Sequence, residues 1–554
     1  MSDTDGDTAL MIATLEGYVD VAKMLVEKGA NVNAKNHKGF TALMHAGGKG
    51  YCKMIPFLVE NGAIVNYKKE DGFTPLLVSS VNNQTNAVKV LLDNGANIED
   101  RDSDGDSALL MASLKGFLGM AKVLVQNGAN INTTNNNGFT SLMLACGADH
   151  SERARFLIDK GADVNATKQD GFTPLLLACL NQRLNTLSML LQSKADVDAK
   201  NTRGETALML ACRAGRLPSE EEEDALSGLL AKSMGVVKDL FKEKEKKKGK
   251  PGSYEDMAAI LLEHGASVEI ANKEGSTPLM IACIGNKNIL VHTLLQHKQD
   301  VEAKYHEGDT ALLLACREGH PGIVKILLEY RAKVDEVCNN GFTALMVTSK
   351  KGNCEIASTL LDHGANVNSK KKDGFTPLLI ACIYKEKSTV SVLLENKPDI
   401  DIKENEGKTA LMLVAKERHE DIVEILLEHG ASIDEKSNKG FTALMYASKK
   451  GHGNVISVLI QHGSDINAIE DDGFTPLMLA AINEQTDAAL VLLKSNAKTD
   501  TQNKDSATAL GLVCEKSSED MTRLCRATMR ALTPRITMAL HLSSLLVLKD
   551  VKAY

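Results

Sequence analysis

Apolar and polar positions along this chain follow one phrase that returns every 33 residues. It opens on glycine at Gly6, Gly39, Gly72, Gly105, Gly138, Gly171 and Gly204. After an interruption it opens again at Gly275, Gly308, Gly341, Gly374, Gly407, Gly440 and Gly473. Most copies continue Gly-x-Thr-Ala/Pro-Leu into a short apolar run. In the copy from Gly308 to Lys333, the Thr310 hydroxyl is placed to cap a helix. Leu312, Leu313 and Ala315 then predict a short first helix, and Glu318-Gly319-His320 predicts a turn. Ile323, Val324, Ile326, Leu327 and Leu328 predict a second helix with a wide apolar face. Five copies carry proline at the first helical position (Pro75, Pro174, Pro278, Pro377, Pro476), where its missing N–H has no intrahelical partner. Gly-Ala, as at Gly364-Ala365, closes the second helix with a left-handed cap. An extended stretch such as Asn366-Val367-Asn368 leads to the next polar turn. Each unit is therefore helix, turn, helix and projecting hairpin-like loop. A unit of this size cannot bury its own apolar face, so it must stack on its neighbours.

The phrases "DGFTPLLLACLNQ", "LLEHGASVE" and "EKGANVNAKN" closely resemble the ankyrin repeat, and the resemblance covers roughly residues 5–530. It implies an all-α ankyrin-repeat solenoid of about fifteen helix-turn-helix units with projecting hairpin loops. Members of that family are overwhelmingly protein-binding scaffolds without catalysis of their own. One departure is systematic. The family usually places His after Thr-Pro-Leu, where it ties loops together by hydrogen bonds. Here that position is always methionine or leucine, from Met11 and Met44 to Met445 and Met478. The substitution predicts loops positioned by packing instead of hydrogen bonding.

The units cycle in threes, with a super-period of 99 residues. Gly6, Gly105, Gly204, Gly308 and Gly407 are followed by a charged residue. Gly39, Gly138, Gly341 and Gly440 open Gly-Phe-Thr-Ala/Ser, and Gly72, Gly171, Gly374 and Gly473 open Gly-Phe-Thr-Pro; Gly275 is a variant of the last. Between Gly204 and Gly275 lie 71 residues, and the cycle expects a second-type unit there. The reading is that 219–253 replace the turn and first helix of that lost unit, while 254–269 remain as its second helix. Leu226, Leu230, Val237 and Phe241 fall near one face of an amphipathic helix over about 219–247, with acids leading and lysines trailing as a helix dipole favours. The expected organisation is an N-terminal block over 1–216, a charged insert and linker over 217–253, a C-terminal block over 254–530, and an atypical tail or capping segment over 531–554. The insert is expected to be a weak joint between two cooperative blocks.

Composition narrows the chemistry. Aromatic residues make up 4% of the chain and Trp is absent, so the core must be aliphatic, with Met, Ala and Cys. A net charge of −8 over 554 residues argues against a polyanion partner. No apolar stretch reaches the ~18–20 residues that span a bilayer, and the start lacks a secretory pattern. Cys146, Cys179, Cys212, Cys283, Cys316 and Cys382 share one repeat position; without close Cys pairs they read as small buried core residues in a reducing compartment, not a metal ladder. The Lys-rich run 242–250 alternates with Glu and reads as a solvated helix end, and the acidic run 220–223 as a helix start. His264, His363, His429 and His462 precede helix-ending glycines, where a cation suits the dipole. No catalytic constellation, cofactor motif or metal motif is present in the sequence.

Eight of the twelve phenylalanines follow the repeat glycine: Phe40, Phe73, Phe139, Phe172, Phe342, Phe375, Phe441 and Phe474. They form one adjacent pair per 99-residue block. They are the candidate partner-binding residues, since loop aromatics make good interface anchors; packing between neighbouring loops is the alternative. The expected function is an intracellular, non-enzymatic protein-interaction scaffold, cytoplasmic with the nucleus as alternative. Its partners would be other proteins, with no nucleic acid. The competing readings are an adaptor subunit that recruits targets to a ligase or signalling machine, and the repeat fragment of a larger enzyme or channel.

Overall fold

The computed structural model describes residues 3–213 and 253–515. These form 29 helices and no strand among the described residues, an all-α repeat solenoid as the period requires. Fourteen helix pairs are followed by a fifteenth first helix, Ala509–Glu515. The chain divides into two compact units, Met1–Asp300 and Val301–Tyr554. Within each unit, first helices pack on the first helices of the neighbouring repeats and second helices on second helices.

The local rules of the sequence act in every repeat. Thr310 Oγ1 accepts the Leu313 N–H at 3.4 Å, and the equivalent Thr or Ser caps each other first helix for which a cap is described. Leu312, Leu313, Ala315 and Cys316 of that helix, and Ile323, Val324 and Leu327 of the next, are all almost wholly buried. Met11, Met44, Met143, Met209, Met280, Met346, Met412, Met445 and Met478 are at most 1% exposed. In three of them the thioether accepts the N–H of the capping threonine, as Met445 Sδ does from Thr442 at 3.4 Å. Gly72 shows why glycine must open the unit. Its φ is +85°, and a Cβ there would lie 2.6 Å from the backbone nitrogen of Ser103 in the next loop.

Loop positioning does not pass to packing alone, as the missing histidines suggested. Successive loops are tied by a ladder of side chains that accept a backbone N–H from the next repeat. In the first unit the rungs include Ile64 N–H to Asn33 at 2.9 Å, Asn97 to Asn66 at 2.8 Å and Asp196 to Asn165 at 2.8 Å. In the second they include Lys333 to Glu302 at 2.7 Å, Ser432 to Asp401 at 3.0 Å and Lys498 to Asn467 at 2.8 Å. Direct backbone bonds run beside them, such as Ser103 N–H to the Asp71 carbonyl at 2.8 Å. An Asn, Asp or Glu at the end of the extended stretch thus does what the family's histidine would do.

The interruption is built differently from the sequence reading. Helix Ser253–Glu263 packs against Ala207–Arg213, the first helix of the unit that opens at Gly204, as the second helix of any other repeat packs on its first. It also lies beside the preceding second helix, Leu184–Gln192. The loop after it continues the ladder through Ser267 N–H to Asp198 at 2.9 Å, and Lys273 N–H reaches the Arg203 carbonyl at 2.9 Å. Helix 253–263 is therefore the second helix of the Gly204 unit itself, not the remnant of a lost second-type unit. The third-type repeat at Gly275 follows directly, and its first helix Pro278–Ile284 packs on Ala207–Arg213. The amphipathic pattern at 219–247, the runs 220–223 and 242–250, and the tail at 531–554 lie outside the described residues.

Candidate interaction surface

The projecting turns are held from inside. In three second-type units the side chain four residues before phenylalanine accepts its N–H: Asn36 Oδ1 from Phe40 at 2.8 Å, Asn135 Oδ1 from Phe139 at 2.9 Å and Ser437 Oγ from Phe441 at 3.2 Å. In three third-type units the aspartate before the glycine does so: Asp71 for Phe73, Asp170 for Phe172 and Asp373 for Phe375, at 3.2–3.3 Å. The rings of each block then sit on adjacent, fixed turns.

All eight candidate phenylalanines are half-buried except Phe139, which is buried. Phe139 packs in one cluster with Leu110, Met143, Leu144 and Leu177, with Phe172 against it. Phe441 and Phe474 pack against Met445, Ala468 and Leu479. In these two blocks the aromatic rings therefore pack in one cluster with Met143 or Met445, at the position where the resemblance expects histidine. That packing is structural, and it leaves part of most rings open to solvent.

A lysine folds over these rings in three blocks, bridging both rings in the first two, which the sequence reading missed. Lys69 Nζ lies 4.9 Å from the Phe40 ring centre and 5.6 Å from that of Phe73. Lys168 lies 5.0 Å from Phe139 and 5.6 Å from Phe172, and Lys371 lies 4.4 Å from Phe342. Each ammonium is also ion-paired to the aspartate two residues on: Asp71, Asp170 and Asp373. A cation over a ring face is attracted by the ring quadrupole, so each Phe-Lys-Asp group is a preformed, semi-polar patch. The fourth block differs. Glu470 stands where the lysine would be and accepts the Phe474 N–H at 2.9 Å, while Tyr446 packs on Phe441 with centroids 5.2 Å apart. The signal was legible as Lys69, Lys168 and Lys371 at one position of the 99-residue cycle, but nothing in spacing says that their stems fold back over rings.

The first-type turns carry buried acids. Asp106 Oδ1 accepts from Asn135 Nδ2 at 2.9 Å, and Asp7 Oδ1 from Asn36 Nδ2 at 2.8 Å. Glu205 meets Arg213 at 2.9 Å, and Asp309 meets Arg317 at 2.6 Å. Burial holds the Asp309 carboxyl above its usual range despite Arg317, and pushes Asp106 up to about 7. At the fifth such turn, Lys408 replaces the acid and pairs with Glu406. Near the interruption, Thr202, Arg203, Glu205, Arg213, Lys273 and Ile284 help line an open cavity of 440 Å³.

The cysteine column is buried as expected, and burial raises its thiols well above the ordinary range, Cys179 to about 12. Cys179 Sγ–H donates to the Ala207 carbonyl at 3.1 Å. The helix-ending histidines act by hydrogen bonding: the Nδ1 atoms of His264, His363, His429 and His462 lie 2.8–3.0 Å from the carbonyl four residues back. Among the described residues, no group of three or more His, Cys, Asp or Glu side chains converges as a metal site would, and no helix is long and apolar enough to cross a membrane.

The model of three ankyrin repeats matches in overlapping stretches over residues 32–235 and 286–505. The single-repeat model matches residues 5–37. A comparison with curated proteins gave no match. With the repeat geometry and these matches over most of its length, the chain belongs to the ankyrin-repeat family, whose repeats generally serve as protein–protein interaction modules.

Proposed function

We propose that this protein is an intracellular scaffold that holds other proteins on its projecting turns and has no catalysis of its own. The observation that carries the reading is the set of Phe pairs overlaid by lysine: Lys69 and Lys168 each bridge two rings, and Lys371 covers Phe342. These are rigid, partly open aromatic patches repeated along the array, and aromatic anchors on preordered loops lose little conformational freedom on binding. The buried thiol column suits a reducing compartment, the cytoplasm first. An adaptor that joins such targets to a larger machine remains the second reading; the insert between helices Ala207–Arg213 and Ser253–Glu263 would be its recruiting element.

The test is the double variant Phe342→Ala/Phe375→Ala in the full chain. Partners identified by affinity capture and mass spectrometry should be re-measured one by one against the purified variant. Loss of at least one defined partner, with the helical signal retained, supports anchoring by these turns. Unchanged partner binding with a lowered thermal midpoint assigns the rings to packing alone.

A further inference from the structure

Five successive first helices of the second unit end side by side: Ala311–Glu318, Ala344–Lys351, Pro377–Ile383, Ala410–Lys416 and Ala443–Lys450. Four of their ends or following turns present cations to solvent: Lys350 and Lys351, then Lys385, Arg418, and Lys449 and Lys450. None of these six makes an ion pair with a described residue. The chain as a whole carries −8, so this strip opposes the balance of the molecule. A lysine at a helix end can serve the helix dipole alone. The first unit is less cationic at this place. At the position of Lys350, Lys416 and Lys449 it has Leu15, Gly48, Val81, Leu114, Gly147, Leu180 and Ile284, and its single cation there, Arg213, is paired with Glu205; Lys49 and Lys115 stand one position on, in separate repeats. Lys385 and Arg418 moreover sit at φ of +64° and +65°, in the turn position that Gly319, Gly352 and Gly451 hold in neighbouring repeats. Asn83, Asp149, Gln182, Asn286 and Glu484 hold the same turn position at positive φ in other repeats, so what sets Lys385 and Arg418 apart is their charge.

The strip is interrupted in the middle by apolar surface. Ile383 is 36% exposed and Tyr384 46%. Lys350 Nζ lies 5.1 Å from the Tyr384 ring centre, which sets a cation against that ring. The hydrogen bond from Lys416 holds the Glu417 carboxyl below its usual range, and Lys450 of the next repeat adds to it.

We propose that this strip, Lys350 to Lys450, binds an acidic protein segment in extended conformation, with acids flanking one apolar side chain that packs on Ile383 and Tyr384. This rests on the scaffold reading and specifies its partner chemistry. Helices pack about 10 Å apart, and extended chain advances about 3.3 Å per residue. The three steps from the helix of Lys350 to that of Lys449 therefore match about nine residues, with acids spaced roughly every third residue. A nucleic acid fits less well, because a long polyanion would also meet the rest of a chain whose net charge is −8, whereas a nine-residue segment meets the strip alone.

The experiment uses the full chain and a fluorescent nonapeptide, Glu-Glu-Asp-Glu-Leu-Glu-Asp-Glu-Glu, read by anisotropy. The controls are its all-glutamine counterpart and a single-stranded oligouridylate. The peptide should bind, more weakly as ionic strength rises, and the glutamine peptide should not. Lys351→Glu/Lys385→Glu/Lys450→Glu should weaken binding by about tenfold or more, and the neutralising triple change to Gln should weaken it less. Lys49→Glu/Lys115→Glu in the first unit should change nothing. Binding unaffected by either triple variant, absent altogether, or weaker than that of the oligouridylate overturns the proposal. A defined protein partner that still needs Phe342 and Phe375, but ignores the lysine variants and the peptide, removes the strip and leaves the scaffold standing.

Discussion

Ser267 donates its N–H to the Asp198 carboxylate at 2.9 Å, across 69 positions of sequence. The rung before it, Asp196 to Asn165, spans 31. The bond is the same; 38 additional residues have been inserted between the two helices of one repeat without disturbing the rung that follows. Repeat arrays depend on nearest-neighbour interfaces, and both helix rows remain paired across this point within the first unit.

Removing Arg216–Ser253 should therefore be tolerated. The deletion joins Gly215 to Tyr254 and brings Gly204 and Gly275 to the common 33-residue spacing. The expected thermal midpoint lies within a few degrees of the parent, about the shift that 1 kcal/mol produces or less. A strongly lowered midpoint or lost helical signal would show that the insert is part of the stack.

Asp434 takes two bonds from the next loop: the Ser464 hydroxyl at 2.8 Å and the Asp465 N–H at 3.0–3.1 Å. Asp434→Ala should cost about 1–2 kcal/mol in urea unfolding, and Asp434→Asn about half of that, because one acceptor remains. A neutral result for both would mean that water replaces the rung fully.

Gly72→Ala combines a left-handed φ with a clash against the Ser103 backbone. Gly29, at φ +84°, has nothing within 4 Å of where a Cβ would be. Gly72→Ala should cost about 2–3 kcal/mol and Gly29→Ala about 1 kcal/mol. Equal losses would dismiss the close approach of the loops as a constraint.

Asp106 gives the array a pH dependence. Burial raises its folded-state carboxyl from 3.8 to about 7, so between those values the folded protein holds a proton that the unfolded chain has lost. Stability from this group is fully present below pH 4 and is lost as pH rises to 7. Burial raises Asp102, one turn residue away, in the same direction. Asp106→Asn keeps a carbonyl for Asn135 and removes the charge. It should raise the urea midpoint relative to the parent at pH 8 and give no gain at pH 4. Parallel behaviour at both pH values would place the Asp106 titration outside this window.

The helices, caps and turns were legible because each rests on local chemistry repeated at a fixed spacing: Thr310 before Leu313, Pro377 at a helix start, glycine at φ near +80°. The assignment of helix 253–263 failed for a different reason. Residues 256–269, "DMAAILLEHGASVE", resemble the "EIASTLLDHGANVN" that ends a second-type unit, but second helices of other types share that pattern, whereas place in the stack follows from which helix is touched. The better signal was register: Gly215 followed by Tyr254 reads like Gly116 followed by Phe117. The ladder was visible as Asn33, Asn66, Glu99 and Asn132 at one repeat position, yet an Asn on a loop has many local partners, so only the stacked geometry selects one.

The nine buried methionines at the start of the first helices carry a last consequence, for oxidation. Closed repeats keep these thioethers from peroxide, since none is more than 1% exposed. A sulfoxide would introduce a polar group into the core beside the capping threonine, so oxidation at one site would hold that repeat open. The same atom in nearly the same surroundings, at Met44, Met143, Met280, Met346 and Met445, makes each methionine-bearing repeat a separate recorder of its own opening. Peptide mapping after brief peroxide exposure would then rank the repeats of each unit by how often they come apart.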